Sequence, residues 1–204
     1  IGIRDPFGIR PLVIGKLNKS YVLTSETCAL DIIGAKFFRE VENGEVVVIT
    51  ENGLESIKPF PKIKVRPCIF EYIYFSRPDS IIKNTSVYEY RKRLGAELAK
   101  EEHVESDLVI PVPDSGVPAA IGFSEQEKKN VEFGIIRNHY VGRTFIEPTQ
   151  QIRSLGVKLK HSINKTLIKN KSLILIDDSL VRGTTSVKII KMLYEFGAKE
   201  VHLR

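Results

Sequence analysis

Apolar and polar positions fall into two regimes along the 204 residues. Before about residue 60 the apolar runs are short and punctuated. Residues 11–15, 21–24 and 45–50 read as strands. Asn43-Gly44 and Asn52-Gly53 read as turns, because Asn and Gly tolerate positive φ, and residues 51–54 join two strand-like runs as a hairpin does. Residues 58–67 carry three prolines and four basic side chains, the composition of a linker, so a domain boundary is expected there. After Cys68 the pattern lengthens. Tyr90, Leu94 and Leu98 sit at helical spacing and predict a helix over 87–101. Residues 108–112 read as a buried strand, 117–124 as the start of a helix with Pro118 in its first turn, and 131–136 as another strand. A strand over 171–176, a helix over 185–196, Gly197 in the place of a C-cap and a strand beginning at 200 complete the series. Strands alternating with helices imply βαβ units and a parallel sheet.

Composition alters this picture little. The hydrophobic share of 42% and charged share of 27% are ordinary for a globular chain. A net charge of +6 suits an anionic partner, small molecule or nucleic acid, and equally a mildly basic solvated surface. Two cysteines, Cys28 and Cys68, are too few for a disulfide framework and suggest a reducing cytosol. No apolar run reaches the ~18 residues of a membrane span, and no signal peptide is visible. The chain opens on IGIRDPFGIRPL without a Met and closes on VHLR inside a strand-like run; it reads as an internal piece of a longer protein.

The densest chemistry lies in LILIDDSLVRGTT, residues 173–185. The apolar run is too hydrophobic to be exposed on either face, as in a central parallel strand. Asp177 and Asp178 stand at its carboxyl end, where open α/β sheets bind ligands. The loop from Ser179 through Arg182, Gly183, Thr184 and Thr185 then opens a helix, whose free N–H groups make a ready anion site. Carboxylates repel phosphate, but they accept from ribose hydroxyls or hold Mg²⁺ against a diphosphate. Capping of the following helix is the plainer role for the pair.

The string resembles the phosphoribosyl pyrophosphate (PRPP) motif of type I phosphoribosyltransferases; it is not a Walker loop, since no G-x-x-x-x-G-K-S/T is present. Five further strings match one family in its order: RDPFGIRPLVIG (residues 4–15), SETCALDIIGA (25–35), FEYIYFSRPDS (70–80), VIPVPDSGVPAAIG (109–122) and NHYVGRTFIEPTQQIR (138–153). With DDSLVRGTTS they resemble the glutamine phosphoribosylpyrophosphate amidotransferases.

That resemblance implies a type I phosphoribosyltransferase fold, α/β with a mostly parallel sheet, over 66–204. Before it, over 1–65, it implies the last part of an Ntn-type α+β glutaminase domain. The glutaminase nucleophile, an N-terminal cysteine, is absent, and Cys28 does not match it; a small buried residue is its better reading. The implied activity converts PRPP, glutamine and water into 5-phosphoribosylamine, pyrophosphate and glutamate, the committing step of purine synthesis. Asp177, Asp178, Ser179, Arg182, Gly183, Thr184 and Thr185 would bind PRPP, the two acids also Mg²⁺. Tyr140 and Arg143 match substrate-contacting residues of a loop, 137–153, that closes over PRPP; its arginines suit a departing diphosphate. Relatives often place arginine where His139 stands and lysine where Arg137 stands, and their Mg²⁺-binding serine is Gly116 here.

Cys68 occupies the position of an iron–sulfur ligand in one subgroup; it is either one of four thiolates of a 4Fe–4S cluster, the others beyond residue 204, or a buried free thiol. Further implications are feedback inhibition by purine nucleotides, a homo-oligomer in the cytoplasm, and no need of nucleic acid or membrane. The basic stretch 150–171 alone would suit nucleic acid, but steering an anionic substrate explains it. A base-salvage phosphoribosyltransferase and a PRPP-sensing regulator remain the rivals. The first would not need RDPFGIRPL, and the second would be expected to carry a helix-turn-helix arm, which is not visible.

Overall fold

The strand at the centre of the second half explains its own sequence. The structure, a computed structural model, describes residues 1–140 and 160–204. They form two compact units, Ile1–Tyr90 and Arg91–Arg204.

The first unit holds two antiparallel sheets. One has the order β1 (Gly2–Ile3), β5 (Val46–Thr50), β6 (Gly53–Ile57). The other has the order β3 (Ser20–Thr24), β2 (Val13–Leu17), β4 (Lys36–Glu40). Pro11 falls outside β2, because a proline cannot donate to a ladder. The expected 51–54 hairpin forms, pairing Thr50 with Gly53. Helix α1 (Thr27–Ile32) and strand β4 lack a legible pattern: α1 has six residues, and three consecutive β4 positions, Lys36, Phe37 and Phe38, are exposed. A short ribbon, β7 (Ile81–Ile82) with β8 (Thr85–Ser86), and a turn of π-helix at Glu71–Phe75 complete the unit.

Three of the quoted strings hold this unit together. Arg4 is 5% exposed; its Nη1 donates to the Val41 carbonyl at 2.6 Å and its Nε to that of Arg10 at 3.2 Å. Asp5 accepts from the Ile9 amide at 3.0 Å, closing the RDPFGIRPL turn. Glu26 of SETCALD accepts from the Arg77 amide and the Ser80 hydroxyl, both at 2.7 Å. Arg10 stacks its guanidinium 4.5 Å from the Phe75 ring centre and sets Nε 2.8 Å from Glu71. Residues 66 and 68 donate their amides to Phe7 and Ile9, so the proline-rich segment leads into chain that packs on the first unit. Helix α2 (Val87–Glu101) crosses the division at Tyr90.

The second unit is built on a parallel sheet of order β13 (Glu200–Leu203), β12 (Ser172–Ile176), β9 (Leu108–Pro111). Leu173, Ile174, Leu175 and Ile176 have no exposed surface. Leu173 and Leu175 pack with Ile189 and Leu193 of helix α5 (Thr184–Glu195); Ile174 and Ile176 pack with Ala120 and Phe123 of helix α3 (Val117–Glu127). Covered on both faces, the Leu173–Ile176 run has no position for a polar residue, and each of these buried side chains contributes roughly 1.5–3 kcal/mol. Pro118 lies in the first turn of α3 as expected. The strand expected over 131–136 is largely absent. Val131 makes a lone bridge to Val109, a turn closes from Glu132 to Gly134, and only β10 (Ile135–Arg137) is extended, antiparallel to β11 (His161–Ile163). A short helix α4 (Lys165–Ile168) leads into β12. The architecture is the α/β class with a parallel sheet that the alternation implies. No helix of the described residues is long and apolar enough to cross a membrane.

Candidate functional site

Strand β12 sets the acidic pair in place. The Asp177 amide donates to the Arg204 carbonyl at 3.1 Å, so Asp177 still follows the ladder with β13. The chain turns at the next residue, where the Asp178 amide donates to Asp177 Oδ1 at 2.9 Å and the Ser179 hydroxyl donates to Asp178 Oδ1. Two adjacent carboxylates therefore reach one end of the sheet by a turn, not by strand alternation. Burial, reinforced by the charge of Asp178 and partly offset by the Asp178 amide, pushes the Asp177 carboxyl up to about 6.

The loop then returns to a helix through Gly183, whose φ of 69° is left-handed. An L side chain is strained there, so glycine lets the helix start at once after the turn. No side chain caps the α5 N-terminus, which leaves its first amides without a side-chain acceptor beside the exposed Arg182, Thr184 and Thr185. Leu180 and Val181 are 63% and 80% exposed. An uncapped helix start with flanking hydroxyls and one guanidinium suits an oxyanion. The helix-capping role open to the acids is not the one seen, since α5 has no side-chain cap.

A second loop borders this one. The Val112 amide donates to the Ile176 carbonyl at 2.8 Å, tying residues 112–116 to the end of β12. A Cβ on Gly116 would lie 2.5 Å from that same carbonyl. The first turn of α3 thus rests directly on the β12 backbone. The peptide between Pro113 and Asp114 is cis. Arg137, at the end of β10, forms an ion pair with Asp114. His139 and Tyr140 are exposed, Tyr140 completely. Arg143 and Arg153 lie outside the described residues.

Two metals were implied by resemblance. Asp177 and Asp178 offer hard carboxylate oxygens and repel each other while uncompensated, so the pair fits a Mg²⁺ ion whose other ligands come from substrate and water. For an iron–sulfur cluster the described residues supply one candidate donor, Cys68. Among the described residues no three His, Cys, Asp or Glu side chains gather as a metal site; Cys68 is half-buried and free, and Cys28 is buried in α1. One thiolate does not hold a four-iron cluster.

Sequence reasoning missed Asp114. Its only signal was a position at the carboxyl end of a predicted strand, followed by Ser115-Gly116. It also gave no partner for Arg137, because a contact across 23 residues leaves no trace in local pattern.

No family model matches the chain. The whole chain is 58% identical to an amidophosphoribosyltransferase of Rhizobium etli, covering 42% of that protein, and 56% identical to one of Synechocystis, also covering 42%. It is 49% identical over 98% of its length to the amidophosphoribosyltransferase of Bacillus subtilis. The solved glutamine PRPP amidotransferase of B. subtilis, in complex with ADP and GMP, superposes with a TM-score of 0.89 over 98% of this chain and 44% of its own. The chain thus spans about two fifths of the length of the relatives it matches.

Proposed function

From a chain similar along its whole length to amidophosphoribosyltransferases, we propose that the protein of which it is part makes 5-phosphoribosylamine from PRPP and glutamine. Residues 66–204 are its phosphoribosyltransferase domain and residues 1–65 the end of its glutaminase domain. The observation that carries this reading is the acidic pair at the end of a fully buried parallel strand, followed by an uncapped helix start.

Ammonia from glutamine displaces pyrophosphate at C1 of PRPP. The chemistry asks the protein mainly to position two reactants and to stabilise charge that develops on the sugar and the leaving group. Ser179, Arg182, Gly183, Thr184 and Thr185 hold the 5-phosphate at the start of α5. Asp177 and Asp178 accept from the ribose hydroxyls and hold Mg²⁺, which when bound neutralises the diphosphate. Tyr140 and Arg143 bear on the substrate from the loop that begins at Arg137. Water excluded from the site cannot compete with ammonia.

Purine nucleotides act as feedback inhibitors, in keeping with the B. subtilis structure solved with ADP and GMP. The protein is cytosolic and homo-oligomeric. Cys68 supplies one thiolate of four if the full-length protein carries a cluster; iron content and visible absorbance of anaerobically purified protein decide it.

Full-length protein should release pyrophosphate from PRPP with either glutamine or ammonia, and Asp177→Asn should cut that release at least a hundredfold (about 2.7 kcal/mol of transition-state stabilisation). Turnover with adenine or hypoxanthine but not with ammonia would overturn the assignment in favour of base salvage.

A further inference from the structure

We propose that the ion pair between Arg137 and Asp114 is a latch that competes with the anionic ligand, and that a diphosphate-bearing ligand opens it by taking Arg137 from Asp114. The inference rests on the PRPP reading above: it specifies how Arg137, an arginine of the 137–153 loop, comes to the diphosphate, and assigns Asp114, to which that reading gives no role.

Asp114 sits in the loop between β9 and α3, and that loop is hydrogen-bonded to the last residue of β12, one position before Asp177. Arg137 ends β10 and reaches the Asp114 carboxylate through Nη1 alone. Its Nε is buried and has no acceptor among the described residues. A guanidinium offers paired donors in a fixed fork, which a phosphate or diphosphate oxygen pair fills and a single carboxylate oxygen does not. A buried charged donor without a partner is costly, so Arg137 is held in a half-satisfied state that a bidentate oxyanion improves. The side chains are 37% and 56% exposed, and pairs this exposed are weak. A weak pair suits a contact that must be surrendered on binding. Without the latch, Arg137 would face the ligand unpaired; with it, ligand must first displace a carboxylate.

The test uses full-length protein and calorimetric titration with inorganic pyrophosphate and with PRPP, each with Mg²⁺. Asp114→Asn should tighten both by about three- to five-fold, the size expected when a part-exposed ion pair no longer competes. Arg137→Gln should weaken both by about tenfold or more. The decisive species is the double variant. A latch predicts that Asp114→Asn gives no tightening when Arg137 is already Gln; simple removal of a negative charge predicts the same tightening in both backgrounds. Equal gains, or an Asp114→Asn protein that binds no better than wild type, overturn the latch while leaving the PRPP reading intact. Wild type that binds neither ligand sinks the reading itself and the latch with it. Thermal melts of each variant establish that it is folded, and Arg137→Lys, which keeps the charge but loses the fork, should recover only part of the affinity.

Discussion

Helices α2 and α3 cross on two glycines, and the crossing can be tested because two effects on it have opposite signs. A Cβ on Gly95 would lie 1.8 Å from the Ala119 carbonyl oxygen, and one on Gly122 1.8 Å from that of Lys92. Ordinary contact begins at 3.4 Å, so either alanine forces the helices apart by on the order of 1.5 Å, the atoms met being backbone that cannot swing aside. Helix propensity alone predicts that Gly→Ala stabilises an interior helical position by about 1 kcal/mol. Overpacking costs about 1–3 kcal/mol for far smaller intrusions. Steric cost should win, giving a net loss of about 2 kcal/mol or more for Gly122→Ala and a fall of about 1 M in the urea midpoint at unchanged slope. Gly95→Ala should cost a similar amount. Because both push the same pair of backbones apart, the double variant should cost less than the sum. The perturbation also reaches the site: α3 starts at Gly116, which rests on the Ile176 carbonyl, so the single variants should raise the KM for PRPP more than they lower kcat. A higher midpoint in either variant, or strict additivity, would refute the reasoning.

Other consequences follow from single residues. Glu45 is 1% exposed, and the Arg39 guanidinium, helped by the Ser56 hydroxyl, holds its carboxyl down at about 2 against an ordinary 4.5. A depressed acid stabilises the fold above its unfolded value, so Glu45→Gln should cost about 3 kcal/mol at pH 7, with the gap to wild type closing as pH falls from about 4.5 to 2; parallel urea curves at pH 7 and pH 3 check this. Asp177→Asn should raise the melting temperature of ligand-free protein at pH 7.5 while nearly abolishing activity, since it removes a buried carboxylate beside another; a lower melting temperature would contradict that account. Gly183→Ala, at φ 69°, should cost about 1–2 kcal/mol and weaken PRPP binding, read by melting and by titration. Ile174→Ala, fully buried in β12, should cost about 2–5 kcal/mol.

How much of this was legible depends on whether a residue's role is local. Leu173–Ile176 could be assigned from composition, because a strand covered on both faces must be apolar throughout, and the packing of α3 and α5 on its two sides bears that out. Asp177 and Asp178 were legible as a pair for the same reason: they interrupt that run at the end where ligands gather. Strand 131–136 misled because its apolar residues face three surroundings. Val131 touches Val109, Ile135 lies in the core, and Ile136 is exposed, so no period-two pattern governs them. The deeper loss is in the strings that read only as resemblance. Arg4, Asp5, Glu26 and Arg10 lie in strings that carried only the resemblance; in the structure Arg4 and Asp5 close a turn, Glu26 holds the 77–80 loop, and Arg10 spans Phe75 and Glu71. A buried ionic partner used for shape and one used for catalysis have the same letter, and only the distance to its partner separates them. Asp114 is the converse case. Local pattern gave it no role, but the loop it occupies is bonded to the end of β12 and its carboxylate takes Arg137. The side chain that local pattern left without a role is the one whose substitution by Asn should tighten the site.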